Sequence, residues 1–296
     1  MFFLLFCPRL FVSLQSKNLK ADEMGIIIGI DVGISTTKIV GLRDGKVSAP
    51  IRITAADPIT SLYGAFGKYL HDNDIALSDV EHVMLTGVGA AYVKGDVYGV
   101  ATSRTDEFLA DALGARYESK LNHAIVVSMG TGTSFVMCHG NDIRHIGGIG
   151  IGGGTLQGLS RLCLGTSDIK QVSELAKQGD ISHINLLIGD ISAQPLPGLP
   201  MEATASIFAR AKSDTSKEDI AIGIIAMVLQ SIGSASVLAA QGTDCRDMVL
   251  IGNLSLLPQC KDIFPQLEKL YNVRFHIPTY SEFCTAIGAA LAYNNQ

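Results

Sequence analysis

Residues 25–38 read GIIIGIDVGISTTK, and the fold is decided here. Ile26, Ile27, Ile28 and Ile30 make a β-branched apolar run of the kind that forms a buried strand. The strand ends at Asp31, and Gly33-Ile34-Ser35-Thr36-Thr37-Lys38 turns back into a second β-rich segment. Glycine lets the backbone approach a ligand, while consecutive N–H groups and the hydroxyls of Ser35, Thr36 and Thr37 can cradle phosphate oxygens. A carboxylate at the strand end suits a hydrated Mg²⁺ beside those phosphates, which makes Asp31 the candidate metal residue. Taken alone, the stretch also fits a plain hairpin that happens to contain an aspartate.

The design returns about a hundred residues later. AIVVSMGTGTS at 124–134 is again an apolar strand, followed by Gly130, Thr131, Gly132, Thr133 and Ser134 in a second glycine and hydroxyl turn. Two such turns resemble the actin, heat-shock ATPase and sugar-kinase superfamily, in which a duplicated domain holds a nucleotide between its halves. The expected fold is α/β, with two RNase H-like halves, each a mixed sheet flanked by helices, closing on ATP. The first half is expected over 24–121 and the second over 122–296, with the terminal helix packing back towards the first.

Composition narrows the function. The 296 residues are 47% hydrophobic and 17% charged, enough apolar matter for a large core. Net charge is −5 with no basic stripe, which argues against a nucleic-acid partner. Six cysteines, at 7, 138, 163, 245, 260 and 284, show no C-x-x-C spacing and read as reduced thiols of a cytoplasmic protein. The opening MFFLLFCPRLFVSL is apolar, yet it has no charged start and is broken by Pro8-Arg9. It reads as a membrane anchor, a signal peptide or an upstream extension; the extension is preferred, with 1–23 outside the fold and no membrane partner.

Further along, 46–54 reads as a strand, Asp57-Pro58 as a helix start, and 80–86 as a strand entering the turn TGVG. Ser103-x-x-Asp106 reads as a capping box for a helix running to about 121, with Glu107 in its first turn. That carboxylate either complements the helix dipole or faces the cleft as a general base for a substrate hydroxyl. Five glycines fall within 148–154, which suits neither a strand nor a helix interior. Gly152, Gly153 and Gly154 lead into a helix whose N-terminus is a ready anion site, and Arg144 just before, with His145 as second choice, could meet phosphate or a substrate carboxylate. Helices are expected at 167–179 and 204–211. The longest, from Ser216-x-x-Asp219 to about 241, has no charge between 220 and 240. Its length admits a membrane span, but its Gly, Ala and Ser content favours burial between domains or subunits. A strand and loop follow at 248–255, ending in Gly252-Asn253, then a strand at 273–277 and a last helix at 285–293.

DVGISTTK, TGVG, Asp106-Glu107-Phe108, SMGTGTS, GGIGIGGGTLQGL, PLPG, LIGNLS and AIGAALA occur in this order and together resemble a type II pantothenate kinase. The resemblance implies ATP-dependent phosphorylation of the primary hydroxyl of pantothenate, with Mg²⁺, a homodimer and a cytosolic setting. It implies Glu107 as catalytic glutamate, Asp31 to Lys38 and Gly130 to Ser134 as phosphate loops, and Gly252 and Asn253 on the adenosine side. One departure stands out: the family's arginine has His145 in its place, and Arg144 lies one residue earlier. Other readings are a kinase of a sugar or N-acetylhexosamine, or an ATPase like the activators of 2-hydroxyacyl-CoA dehydratases. The latter would need iron–sulfur thiolates, for which Cys138 and Cys163 are the candidates. A nucleotide-binding regulator without turnover is a further possibility.

Overall fold

The computed structural model describes residues 25–34, 36–54, 57–194 and 196–295. The 1–23 extension, Ser35 of the first loop and Pro195 lie outside the described residues.

Strand β1 (Ile26–Val32) is buried along its whole length, because it has neighbours on both edges and helices on both faces. β2 (Thr36–Arg43) and β3 (Lys46–Thr54) follow it antiparallel, while β4 (Val80–Thr86) and β5 (Thr102–Arg104) add in parallel on the other edge. The order is β3-β2-β1-β4-β5. The second sheet repeats this plan. β6 (His123–Met129), β7 (Thr133–His139) and β8 (Asp142–Ile149) are antiparallel. Beyond a small ribbon of β9 (Leu186–Leu187) and β10 (Thr204–Ser206), β11 (Asp247–Ile251) and β12 (Arg274–His276) complete the order β12-β11-β6-β7-β8. A strand, two hairpins and two parallel additions, made twice, is the duplicated α/β fold expected from the two loops.

Side-chain alternation along β1 sends Ile26, Ile28 and Ile30 to one face, against Leu62, Phe66 and Tyr69 of α1 (Pro58–Asp72). Ile27 on the other face meets α2 (Glu107–Ser119) and the last long helix. The outer face of the second sheet is covered by α3 (Gly153–Leu164), α4 (Ile169–Ala176) and, after the short α5 (Ile181–Ile184) and α6 (Ile188–Ile191), by α7 (Lys217–Ala240) and α8 (Cys260–Tyr271). α7 is long and apolar enough to cross a bilayer, but Ile224, Ile225, Val228, Leu229 and Ile232 are buried in this core. The final helix, α9 (Cys284–Ala292), packs back on β1, β2 and β4 of the first sheet and along α2.

α2 thus lies between the sheets, giving Ala110 and Leu113 to the first and Ala112 and Ala115 to the second. It crosses α9 backbone to backbone. A Cβ on Gly114 would overlap the Cys284 carbonyl, and one on Gly288 would overlap that of Ala110.

Several local expectations are corrected. Ser103 lies in β5, so the N-cap of α2 is Asp106 alone, whose Oδ1 accepts from Leu109 N at 3.0 Å. The 167–179 helix is shorter, starting after Asp168 and ending before Gly179. No helix forms at 204–211: Thr204 and Ser206 pair with β9, and Asn185 Oδ1 holds Phe208 N in a left-handed turn. α8 was not anticipated because Pro265 interrupts its pattern, yet Ile263, Phe264 and Leu267 give it a buried face. Gly148 belongs to β8.

Replacing Gly288 by leucine should therefore cost more than about 3 kcal/mol of stability in urea unfolding. Gly158→Ala, at a helical position with open space around it, should instead gain up to about 1 kcal/mol.

Candidate active site

The two glycine turns face each other across a cavity of 510 Å³ that also receives Glu107 and Asn253. That is within the size of small-ligand sites, roughly 300–1,000 Å³.

In the first loop Gly33 N donates to Thr36 O at 2.9 Å and closes the turn. Asp31 pairs across the strands with Lys38, and their side chains meet at 3.5 Å, both buried. Thr36 and Lys38 line the cavity; Thr37, one residue out of phase, is buried on the other side, its hydroxyl without a partner among the described residues. Gly87, the first glycine of TGVG, has φ 86°, and a Cβ there would stand 2.6 Å from Asp31 Oδ1. Only glycine lets that carboxylate reach the cavity.

The second loop is held from behind. Gly153 N donates to Gly130 O at 2.8 Å, Gly154 N to Thr131 O at 2.9 Å, and Thr133 Oγ1 to Ile151 O at 2.8 Å. This corrects the anion-site reading of Gly152, Gly153 and Gly154. The N–H groups of Gly153 and Gly154 are spent on loop carbonyls, and the three residues do not line the cavity. Their lack of side chains serves close packing, since a Cβ on Gly152 would fall 2.6 Å from Thr131 O. Gly130, Thr131, Gly132, Thr133 and Ser134 do line it. On the far wall Asn253 Oδ1 is buried with no partner among the described residues, while Gly252 does not line the cavity and donates its N–H to Ser281 O at 2.9 Å. An unmet acceptor beside two glycine loops suits a nucleotide that brings donors.

Glu107 opens α2 at the cavity wall. Burial pushes its carboxyl above the usual carboxylate range; the nearby Asp31 adds to this and Lys38 offsets part of it. One turn on, Asp111 is fully buried, its Oδ1 accepting from Thr285 Oγ1 at 2.6 Å. Burial first, then the charges of Glu107 and Asp31, push it up to about 7.

The two basic candidates separate by strand parity. His145 stacks on Phe108, centroids 4.0 Å apart, and Phe108 lines the cavity beside Glu107. Arg144 projects from the opposite face of β8, where it pairs with Asp142 at 3.2 Å and stays exposed. Arg144 has therefore not taken over the place held by His145. Lys38 is the one cation among the described lining residues. Sequence reasoning passed over Ser128, Val88 and Phe108, which also line the cavity. Each lies in a motif quoted above, TGVG, Asp106-Glu107-Phe108 or SMGTGTS, and that membership is the signal that could have marked it. Cys138 is buried under α2 while Cys163 is exposed on α3, on the other side of the second sheet, so one chain does not bring them together.

The family model Fumble matches residues 115–256. A type II pantothenate kinase from a Bacillus cereus strain is 30% identical over 244 residues, covering 76% of this chain and 82% of its own. The chain belongs to the type II pantothenate kinase family. A type II pantothenate kinase from Staphylococcus saprophyticus is 29% identical over 277 residues, covering 88% of this chain and 98% of its own. Among solved structures, this kinase is similar in fold to a Clostridium difficile activator of 2-hydroxyisocaproyl-CoA dehydratase with bound ADPNP. The TM-score is 0.67 at 16% identity over 91% of this chain and 95% of the activator. A Streptomyces griseus ROK-family glucokinase with glucose and AMPPNP gives a TM-score of 0.56 at 12% identity, over 92% of this chain and all of the other. These likenesses place the kinase in the actin-like ATPase and sugar-kinase fold.

The packing of α3 on the second loop gives a test. Gly152→Ala should displace the Thr131 carbonyl and weaken binding of a non-hydrolysable ATP analogue ~10-fold or more in calorimetry, about 1.4 kcal/mol per decade. The unfolding midpoint should move far less.

Proposed function

We propose that this protein transfers the γ-phosphoryl group of ATP to the primary hydroxyl of pantothenate, the first step of coenzyme A biosynthesis. The observation that supports it is the meeting of Glu107 with both glycine loops around one cavity, in a chain of this family. Glu107 accepts the hydroxyl proton as the new O–P bond forms. The bond from the γ-phosphorus to its bridging oxygen breaks, and ADP leaves with the electron pair. The N–H groups and hydroxyls of Gly130, Thr131, Gly132, Thr133 and Ser134, with Thr36 opposite, hold the phosphates in line. Lys38 supplies positive charge at the developing transition state.

Asp31 fits Mg²⁺, because that ion takes one or two carboxylates and completes its shell with water and phosphate oxygens. Among the described residues no group of three or more His, Cys, Asp or Glu side chains forms a full protein cage, which suits a hydrated ion shared with nucleotide. When bound, Mg²⁺ would neutralise phosphate charge. In this reading the protein works in the cytosol, its thiols reduced, as a homodimer. The partly exposed stripe of Met227, Ser231, Ser234 and Leu238 on α7 supports the second copy.

Glu107→Gln should lower kcat by about 10²–10⁴ while leaving ATP affinity nearly unchanged, measured by coupled ADP release with pantothenate. Near-normal turnover in that variant would remove Glu107 as the base. Because the base must be ionised and its carboxyl sits above the ordinary range, activity should fall on acidification at a higher pH than a free glutamate would give. Asp31→Asn should flatten the Mg²⁺ dependence of turnover. Leu238→Glu should convert a dimer to a monomer by light scattering.

A further inference from the structure

One buried carboxyl beside the cleft has no part in the mechanism above. Asp111 follows Glu107 by four residues on α2, and residues so spaced share a helix face. It is 1% exposed. Thr285 at the start of α9 donates to Oδ1, and Ser128 at the end of β6 also faces the group. Oδ2 has no partner among the described residues. A carboxylate buried with one oxygen unmatched is strongly disfavoured, and a carboxylic acid there is not. The titratable groups around it do little to stabilise a charge. They are Glu107 on its own helix, Asp31 on β1, Cys138 on β7 and Cys284 on α9. Lys38 on β2 points to the cavity and stands 3.5 Å from Asp31 rather than beside Asp111.

We propose that Asp111 is a positioning residue for phosphoryl transfer: it acts through Glu107, staying neutral while Glu107 ionises and, once ionised itself, making Glu107 the stronger base. This rests on Glu107 being the base. Two carboxyls sharing a site lose their protons in two steps. The half-buried Glu107, open to the cavity, gives up the first, and the enclosed Asp111 gives up the second near neutral pH. Negative charge behind Glu107 then raises its proton affinity, and general-base catalysis strengthens with basicity. No bond is made or broken at Asp111.

The test is kcat/KM for the acceptor from pH 5 to 9 in the wild type, Asp111→Asn and Thr285→Val, with affinity for an ATP analogue measured alongside. The wild type should rise in two steps. Asp111→Asn should keep the first and lose the second, equal to wild type at pH 6 and ~3- to 10-fold slower at pH 8, with analogue affinity unchanged. The Thr285 hydrogen bond favours the charged form of Asp111, so Thr285→Val should move only the second step to higher pH. A superimposable Asp111→Asn profile, or a second step unmoved in Thr285→Val, overturns the proposal. If Asp111→Asn does not fold, the shift in Thr285→Val decides alone. The same two steps are read from slow ATP hydrolysis without acceptor. Their presence there, with no phosphorylated pantothenate formed, overturns the acceptor reading and supports this one.

Discussion

Everything at the cleft depends on the contact between α2 and α9. Helix separation is set by the side chains at the crossing. Here the two points of closest approach carry none: Gly114 lies against the Cys284 carbonyl and Gly288 against that of Ala110. Gly29 on β1 continues the same logic, lying against the Ala286 carbonyl. The helix pair is therefore thin enough to fit between two sheets, and both can pack on α2. Since α2 begins with Glu107, the glycine crossing also fixes how far the base stands from the loops on either side.

A second constraint organises the phosphate side. α3 uses the free N–H groups of its first turn to hold the carbonyls of Gly130 and Thr131. The donors that helix starts leave unpaired are thus used to shape a loop. The arrangement turns the loop's carbonyls away from the cavity, where they would repel phosphate. The same economy governs Gly87, whose missing side chain leaves room for Asp31.

The large outlines were legible in the sequence because they rest on local chemistry. Apolar runs ending in glycine and hydroxyl turns give strands and phosphate loops, and repeating them gives a duplicated sheet. Asp57 and Ser216 cap their helices as read, because an N-cap needs only the next three residues. Errors cluster where a distant partner decides. Ser103 is drawn into β5 by β4, and Thr204 into β10 by β9. Pro265 hid α8, whose apolar face is meaningful only once α7 lies beneath it. The glycines at 152–154 stand out in the sequence, but what they pack against is the loop. The preference for Arg144 over His145 rests on charge alone, and which face of β8 looks towards α2 is not legible in the local sequence. Asp111 was passed over, since an aspartate inside a helix looks like a solvated residue until its surroundings are seen.

The position of α9 bears on how the chain is made. Its residues leave the ribosome after everything they cover, about 180 residues behind β5. At roughly 5–20 residues per second that is about 10–40 s of synthesis. During that interval the face of the first sheet bearing Ile27, Val40 and Met84 has no α9 over it. It is an incompletely covered apolar surface on the nascent chain, and the first half reaches its final packing only after the second has been translated.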